Sequence, residues 1–379
     1  MQFQNHKLGA WQLAHAGKSE EYRYFLPKKL PQTYTSSDTS MMTALEAATH
    51  RLGELNAYTK FSADVNFFIQ MHVLAESTAS NKIEGTKTSL EDAIKSEKDI
   101  SPEDRDDWKE VQNYVIAMDT AMEQMKSLPL TMRVLNDVHK TLLSGVRGKH
   151  KSPGVIRTSQ NWIGGDSITD ASYIPPQPHE VADLLSDLEK FLNTKNDIPL
   201  LVKTAWAHYQ FETIHPYLDG NGRTGRLLII LYLKSVDLLS EPVLYISQFF
   251  EEHRTEYYSK LNEVRETGKI DPWIKFFLKA VEETSFQSAK KLNAIANMRQ
   301  QHYSIASKIG PKAQELLDRL YAKPITTINE VANNLNCTYV VASRLVKKME
   351  EEKLLHEITK SNRNRLYVYR DYLTVFQKN

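Results

Sequence analysis

The sequence has little cysteine and no long apolar run. Its single cysteine, Cys337, excludes an internal disulfide and a cysteine-based metal cage. The formal net charge of +1 excludes a global attraction to nucleic acid or to a membrane, so such a partner would need a local patch. No apolar run approaches the roughly 20 residues that cross a bilayer, and residues 1–6 lack the apolar core of a signal peptide. We therefore expect a cytoplasmic protein without a membrane partner.

What is present indicates a globular chain with a mainly α fold. Its 379 residues, 41% hydrophobic and 25% charged, suffice for two or three domains. Apolar residues recur at three- and four-residue steps through most of the first three hundred positions, as in amphipathic helices. We predict an N-terminal extension (1–40), an N-terminal helical region (41–128), a helical core (129–284), a connector helix (285–310) and a small C-terminal domain (311–379).

One β signal interrupts the helical pattern, between residues 154 and 178. Short β-prone runs flank a turn at Gly164 and Gly165, which indicates a hairpin. A single hairpin in a helical domain has no sheet to join, so we predict a flap whose edge can pair with an added strand. The alternative is a long loop folded on the surface.

Residues 215–226 carry the densest set of chemical groups. They combine His215, Asp219, three glycines and two arginines, and the apolar run 227–231 follows at once. This order predicts a loop that leads into the N-terminus of a buried helix, where backbone N–H groups and the helix dipole favour an anion. Arg223 and Arg226 share a helix face, so both can reach one phosphate chain.

These residue types suit nucleotidyl or phosphoryl transfer. His215 can act as a general base near neutral pH, and Pro216 is expected to hold it in an extended conformation. Asp219 suits Mg²⁺, which binds through one or two carboxylates together with substrate phosphates. The loop would then aim a deprotonated hydroxyl at a bound phosphate.

Other interpretations of the loop are weaker. Residues 220–225 fit G-x-G-x-x-G, but no strand precedes them, as a dinucleotide fold requires, and the Gly-Lys-Ser/Thr of a Walker A loop is missing. His208, Glu212 and His215 lack the H-E-x-x-H spacing of a zinc site. We interpret His208 and Glu212 as a helical i, i+4 pair that supports the loop.

Residues 215–226 resemble the signature of the Fic family, HPFx(D/E)GNGRxxR, with tyrosine in place of phenylalanine at position 217. The resemblance covers roughly residues 40–285 and implies a helical core with a β-hairpin flap. It implies a protein adenylyltransferase, which transfers AMP from ATP to a serine, threonine or tyrosine hydroxyl of a protein, including its own chain, and releases pyrophosphate. It also implies a homodimer as a common assembly.

The resemblance implies a role for each residue of the site. His215 would be the catalytic base, Asp219 would bind Mg²⁺, and Tyr217 would pack under the loop. The ATP-binding residues would be Gly220, Asn221, Gly222, Arg223, Thr224, Gly225 and Arg226, with Tyr257 and Tyr258 near the adenine. The flap residues that dock the target would be Trp162, Ile163, Gly164 and Gly165. His253 stands where the family has an asparagine.

Ser80, Glu84 and Gly85 match the family's inhibitory motif, (S/T)xxxE(G/N). From composition alone, this stretch is the C-terminus of a helix with Gly85 in a left-handed conformation. The resemblance implies that Glu84 pairs with Arg226 in the place of the γ-phosphate, so that ATP binds non-productively. It also implies a reverse reaction, in which water removes AMP with help from Glu84.

The C-terminal domain follows the element order of a winged helix-turn-helix. Its basic side chains could neutralise DNA phosphates, with Tyr339 on the same helix. The residues concerned are Tyr339, Arg344, Lys347 and Lys348 on the third helix and Arg363 and Arg365 on the wing. The alternative to an enzyme is therefore a DNA-binding regulator whose Fic-like domain senses nucleotide, although winged helices also bind proteins.

Overall fold

The structure is a computed structural model that describes residues 6–18, 20–61, 65–359 and 365–377. It confirms the prediction of a mainly α chain. The helices are α1 (Thr39–Phe61), α2 (Val65–Ile83), α3 (Leu90–Ala93), α4 (Arg105–Gln124), α5 (Met132–Leu142), α6 (Pro178–Asn193), α7 (Leu200–Ile214), α8 (Asn221–Ser235), α9 (Ile246–Glu252), α10 (Arg254–Thr267), α11 (Asp271–Ile309), α12 (Pro311–Ala322), α13 (Ile328–Asn334), α14 (Tyr339–Glu351) and α15 (Arg370–Gln377). The strands are β1 (Gly9–Ala14), β2 (Tyr22–Pro27), β3 (Ile325–Thr327), β4 (His356–Glu357) and β5 (Leu366–Val368).

Helices α7 and α8 form the centre of the core. Every residue of α7 from Leu201 to Ile214 is buried, and so is the apolar run of α8 over residues 227–233. Around them, α7 packs against α6, α8 and α11, while α1 packs along α11. Two buried neighbouring helices therefore hold the loop between them at a fixed place in the core. Among the described residues, none of the helices combines the length and the apolar character needed to cross a membrane.

The N-terminal residues form a β-hairpin that the sequence did not reveal. β1 and β2 pair antiparallel, from Gly9 opposite Pro27 to Ala14 opposite Tyr22. A side chain at Gly9 would lie 2.2 Å from the Phe25 ring, so only glycine fits there. The predicted extension (1–40) did not include these strands, although both carry β-prone aromatic residues, Trp11 in β1 and Tyr22, Tyr24 and Phe25 in β2.

The flap, residues 154–178, has less β-structure than predicted. Ile163 and Tyr173 form one antiparallel bridge where a two-stranded hairpin was expected. The Asp170 carboxylate closes the turn by accepting from the N–H groups of Asp166 and Ser167 at 2.9 and 2.7 Å. The flap is thus a long loop closed by a single bridge, which combines the hairpin prediction with its alternative.

Two predicted helices have different boundaries. The connector helix does not exist as a separate element, because α11 runs unbroken for 39 residues from the core into the predicted connector. Residues beyond 284 become more polar, but neither glycine nor proline interrupts the helix before Gly310. The apolar spacing also predicts a single helix over 247–264, but the structure has two helices there, α9 and α10, which meet at His253.

The C-terminal residues form four helices and a small antiparallel sheet. The sheet has the strand order β3-β5-β4, and α13 and α14 lie between β3 and β4 in the chain. The winged helix-turn-helix stays a prediction for this domain. The wing turn at residues 361–364, with Arg363, lies outside the described residues.

Helix α2 contacts both the C-terminal domain and the core. Phe68 meets Tyr321 edge to face with ring centroids 5.9 Å apart, and His72 meets Phe376 at 5.0 Å. Both contacts lie in the N-terminal half of α2. Its C-terminal end carries Ser80 and reaches α8.

Candidate active site

The loop of residues 215–220 leaves α7 and enters α8 through two left-handed residues. His215 has φ 50° and ψ 63°, and Gly220 has φ 75°. The expectation of an extended His215 is wrong, because its backbone N–H still donates to the Phe211 carbonyl at 2.9 Å and so closes the last turn of α7. A left-handed residue other than glycine is strained, and such strain persists only where surrounding contacts fix it.

Arg157 and Asn161 of the flap fix that strained backbone. Arg157 Nε donates to the His215 carbonyl at 2.9 Å, and Nη2 donates to the Pro176 carbonyl at 2.5 Å. Asn161 Nδ2 donates to the Tyr217 carbonyl at 2.8 Å. The sequence did not reveal these residues, because Arg157 lies 58 residues before His215 and no motif marks it.

Tyr217 packs under the loop, as the resemblance implied. Its ring stacks on His139 at a centroid distance of 3.7 Å, and its hydroxyl donates to Asn136 Oδ1 at 2.7 Å. His139 Nδ1 accepts from the Gly154 N–H, so Nε2 donates to the Asp219 carbonyl, both at 2.8 Å. Burial lowers the pKa of His139 to about 4, so the ring stays neutral and keeps both bonds at pH 7.

Two side chains that were expected to bind ATP are used inside the loop. Asn221 Oδ1 accepts from the Tyr217 N–H, and Asn221 Nδ2 donates to the Tyr217 carbonyl, both at 2.8 Å. Thr224 is buried, and its hydroxyl donates to the Gly220 carbonyl at 2.9 Å. Both side chains therefore support the loop rather than face a ligand.

Gly225 was also expected to bind ATP, but it faces inward toward α7. A side chain there would lie 2.2 Å from Glu212 Oε1. His208 Nδ1 donates to the Gly225 carbonyl, and His208 Nε2 accepts from the Tyr257 hydroxyl, both at 2.8 Å. With both nitrogens bonded, His208 supports the loop, but not through the pairing with Glu212 that the sequence suggested.

His215 is held in its neutral form. Burial lowers its pKa to about 3, and the guanidinium groups of Arg157 and Arg265 act in the same direction. Its Nδ1 is buried and has no hydrogen-bond partner within the described ranges. Nε2 is therefore the nitrogen that can face a substrate and accept a proton.

The low pKa of the His215 imidazole can be tested by titration. We expect the His215 imidazole of the nucleotide-free protein to stay neutral from pH 8 down to about pH 4 and to protonate only as the pH approaches 3. A histidine in the unfolded chain titrates near pH ~6.5. Side-chain NMR across this range, with His215→Gln to assign the signal, measures the pKa. Protonation of His215 near its unfolded value would contradict the buried environment described here.

Arg226 of α8 has its Nε–Nη2 edge filled. Ser80 Oγ accepts from Nε at 2.8 Å, and the Ser80 carbonyl accepts from Nη2 at 2.9 Å. Glu84 Oε1 accepts from the same Nη2 at 2.7 Å. The structure thus brings together two segments that lie 142 residues apart in the chain.

The Glu84 carboxylate is ionised in this contact. Burial raises its pKa, but the Arg226 guanidinium outweighs that effect and the net pKa lies below the usual value. Gly222 leaves room for the carboxylate, since a side chain there would lie 2.3 Å from Oε1. Gly85 is left-handed with φ 96°, so the helix C-terminus and the ion pair coexist in one segment.

Asp219 offers one carboxylate to a metal ion. Its side chain is 44% exposed, and Oδ1 accepts from the Gly220 N–H at 2.6 Å and lies 3.7 Å from Arg223 Nη2. Oδ2 faces Gly148, where the missing side chain leaves space. Elsewhere in the described part of the chain, no three His, Cys, Asp or Glu side chains are grouped as metal ligands. The donor set therefore suits Mg²⁺ that binds together with phosphates, rather than an ion held by protein ligands alone.

The two tyrosines of α10 differ in exposure. Tyr257 is buried against His208, whereas Tyr258 is 37% exposed with its ring 5.1 Å from that of Tyr257. His253 lies at the junction of α9 and α10. Its Nδ1 bonds to the Phe249 carbonyl at 3.0 Å, and its imidazole stacks on the Phe249 ring. Of the two tyrosines, Tyr258 has the face that an adenine could reach, and this contact stays a prediction.

The predicted docking residues lie on the outer part of the flap. Trp162 is 41% exposed, and Gly164 and Gly165 are both left-handed, with φ 70° and 74°. The N–H and carbonyl of Ile163 are already bonded to Tyr173. An added strand would therefore pair with neighbouring flap residues rather than with Ile163, and docking stays a prediction.

The predicted DNA contacts that the structure describes lie on the surface of the C-terminal domain. Arg344, Lys347 and Lys348 are exposed on α14, together with Tyr339. Lys347 lies 4.0 Å from Glu351, and Arg365 lies 3.3 Å from Glu357. Some of this positive charge is thus neutralised locally, and DNA binding stays a prediction.

Two family models match consecutive parts of the chain. The model described as the Fic/DOC family matches residues 129–233, which include the loop and α8. The model described as the Fic/DOC family N-terminal region matches residues 42–123, which include α2 and Glu84. Residues 42–233 thus contain a Fic/DOC domain with its N-terminal region. In this Fic chain, Glu84 comes from one matched region and Arg226 from the other.

Curated relatives and solved structures agree with the family. The Fic chain is 31% identical over 182 residues to the protein adenylyltransferase Fic of Drosophila persimilis, covering 45% of this chain and 32% of that protein. The Drosophila grimshawi protein of the same name gives the same identity, with 34% of its length covered. The chain therefore spans about a third of these relatives.

Two crystal structures show the same fold. A Fic family protein from Desulfovibrio desulfuricans aligns with a TM-score of 0.56 at 18% identity, over 90% of this chain and 98% of that one. A Fic domain containing signaling protein from Bacteroides thetaiotaomicron aligns with a TM-score of 0.52 at 16% identity, over 65% of this chain and 95% of that one.

Proposed function

We propose that this chain transfers AMP from ATP to a serine, threonine or tyrosine hydroxyl of a protein and releases pyrophosphate. The observation that carries the proposal is the neutral His215 imidazole beside the N-terminus of α8, where Gly222 and Arg223 offer a site for phosphate. Base and anion site come from one loop whose backbone is fixed, so a hydroxyl and a phosphate would meet in a defined geometry. The relatives named protein adenylyltransferase support the same activity.

The chemistry requires one bond to form and one to break. The target hydroxyl oxygen attacks the α-phosphorus, and the bond from that phosphorus to the bridging oxygen of pyrophosphate breaks. The hydroxyl proton passes to His215 Nε2. Arg223 and the first backbone N–H groups of α8 stabilise the charge on the phosphates. The protein then carries AMP through a phosphodiester bond.

Asp219 would hold Mg²⁺ in this reaction. When bound, the ion neutralises part of the triphosphate charge and orients the phosphates. The half-exposed carboxylate beside Arg223 fits that role, because most ligands of Mg²⁺ in such sites come from phosphates and water.

We propose further that Glu84 restrains the reaction. With Ser80, it fills the Nε–Nη2 edge of Arg226, which would otherwise bind the γ-phosphate. Its negative charge also repels a triphosphate. ATP would then bind with its α-phosphorus out of line with the hydroxyl. Removal of AMP in the reverse direction and assembly as a homodimer stay predictions.

Labelled ATP tests the proposed reaction. We expect the full chain carrying Glu84→Gly to transfer label to protein from α-³²P-ATP but not from γ-³²P-ATP, with a cell lysate as the source of target. Chelation of Mg²⁺ by EDTA is expected to abolish the label, and added Mg²⁺ to restore it. Label from γ-³²P-ATP would instead show phosphoryl transfer, and a lack of α label with Mg²⁺ present would contradict the proposed activity.

A further inference from the structure

The two arginines at the start of α8 use the same guanidinium edge in opposite ways. In Arg226 the Nε–Nη2 edge is filled by Ser80 and Glu84. In Arg223, Nε is buried and bonds to no partner in the described residues, while Nη2 lies 3.7 Å from Asp219 Oδ1. This edge can bind two phosphate oxygens at once. Arg223 therefore has an unpaired edge beside the carboxylate of the loop, although its Nε is buried.

Glu110 of α4 holds the opposite nitrogen of Arg223. Its Oε2 accepts from Nη1 at 2.9 Å, and both side chains are only 5% exposed. Asn81 Oδ1 lies 3.5 Å from the same nitrogen. Because Nη1 is bonded to Glu110 at a buried position, the guanidinium cannot rotate its unpaired Nε–Nη2 edge away without leaving a buried charge unpaired.

Arg147 fixes the other oxygen of Glu110. Arg147 Nε donates to Glu110 Oε1 at 3.0 Å, and Nη2 donates to Asp107 Oδ1 at 2.7 Å. Charges of alternating sign thus run from the exposed side of α4 to the loop. The sequence gives no sign of this arrangement, since Glu110 and Arg223 lie 113 residues apart.

We propose that Glu110 is a positioning residue that holds the Nε–Nη2 edge of Arg223 toward a phosphate of the substrate nucleotide. The inference rests on the proposed function for the identity of that nucleotide. In this proposal Glu110 supports the binding of the nucleotide, whereas Glu84 restrains the reaction. The Glu84 carboxylate fills the phosphate-facing edge of its arginine, whereas the Glu110 carboxylate binds Nη1 and leaves the Nε–Nη2 edge of Arg223 unpaired.

Glu110→Gln in the full chain carrying Glu84→Gly tests the proposal, because glutamine keeps the size of the side chain but not its charge. We expect the affinity for ATP, measured by calorimetry, and kcat/KM, measured with α-³²P-ATP, to fall about ten- to a hundredfold. Glu97→Gln is the matched control. Glu97 forms an exposed ion pair, at 3.0 Å, with Lys109, which lies on α4 as Glu110 does. Unchanged or raised ATP affinity in Glu110→Gln would overturn the proposal.

A double-mutant cycle separates positioning from a general effect on folding. In an Arg223→Ala background, Glu110→Gln is expected to cause no further loss of ATP affinity, because it acts through Arg223. An equal loss in both backgrounds would overturn the proposal. If the parent binds ATP but transfers no AMP, the proposed function fails while the calorimetric cycle still decides the role of Glu110. A parent that binds no ATP would overturn both.

Discussion

Replacement of His215 by alanine is expected to lower AMP transfer by about 10²–10⁴-fold, the usual contribution of a general base. The imidazoles of His139 and His208 cannot replace it, because both are bonded to backbone carbonyls inside the protein. Arg223 and the N-terminus of α8 are untouched by the change, so ATP should still bind. Transfer from α-³²P-ATP and ATP binding by calorimetry measure the two quantities separately.

His50→Ala is the matched control, since His50 is 68% exposed on α1. The His50→Ala protein should transfer AMP at the same rate as the parent, which is the chain without either histidine substitution. His215 also has a left-handed backbone, and alanine is strained there as well, so the unfolding temperature of each variant has to be recorded. Transfer by a folded His215→Ala protein at the parental rate would rule out His215 as the base.

Glu84→Gly is expected to raise AMP transfer on the order of ten- to a hundredfold. A hydrogen bond between charged groups is worth about 1.5–3 kcal/mol, and about 1.4 kcal/mol corresponds to a factor of ten. The substitution frees one N–H donor of Arg226 Nη2, while Ser80 still accepts from Nε and so keeps the side chain in place. A γ-phosphate can then take the position of the carboxylate.

Two further variants make this result specific. Glu84→Gln keeps the size of the side chain but removes its charge, so it should raise transfer by less than Glu84→Gly. Glu103→Gly removes an exposed glutamate and should leave transfer unchanged. Equal transfer by Glu84→Gly and the parent, with both proteins folded, would contradict the proposed restraint.

The sequence predicted the contents of the loop and some of its supports, such as His208, but not Arg157 or Glu110. His215, Asp219, Arg223 and Arg226 are recognisable because they lie within twelve consecutive residues, whose order alone indicates a loop before a helix. Their partners come from distant segments. Arg157 and Glu110 reach the loop only through tertiary packing, which no local pattern records.

Local rules also gave wrong conformations where packing overrode them. The residue before proline usually avoids helical backbone, yet His215 closes the last turn of α7 and adopts a left-handed conformation fixed by Arg157. The polar composition after residue 284 indicated a new element, yet α11 continues to Ile309, since composition changes the exposed face of a helix without ending it.

The position of α2 affects how a shortened chain would behave. Phe68 on this helix is buried against Tyr321, and Ser80, about 18 Å along the same axis, holds Arg226. A chain cut at residue 310 would lose Tyr321 and uncover part of Phe68, at a cost of at most about 1.5–3 kcal/mol, the value for an aromatic side chain that becomes fully exposed. The N-terminal half of α2, which carries Phe68, would then be less stable. Its C-terminal end would still have to hold Arg226 through Ser80. The strength of the Glu84 restraint is therefore a property of the whole chain, and an isolated catalytic core would report a different one.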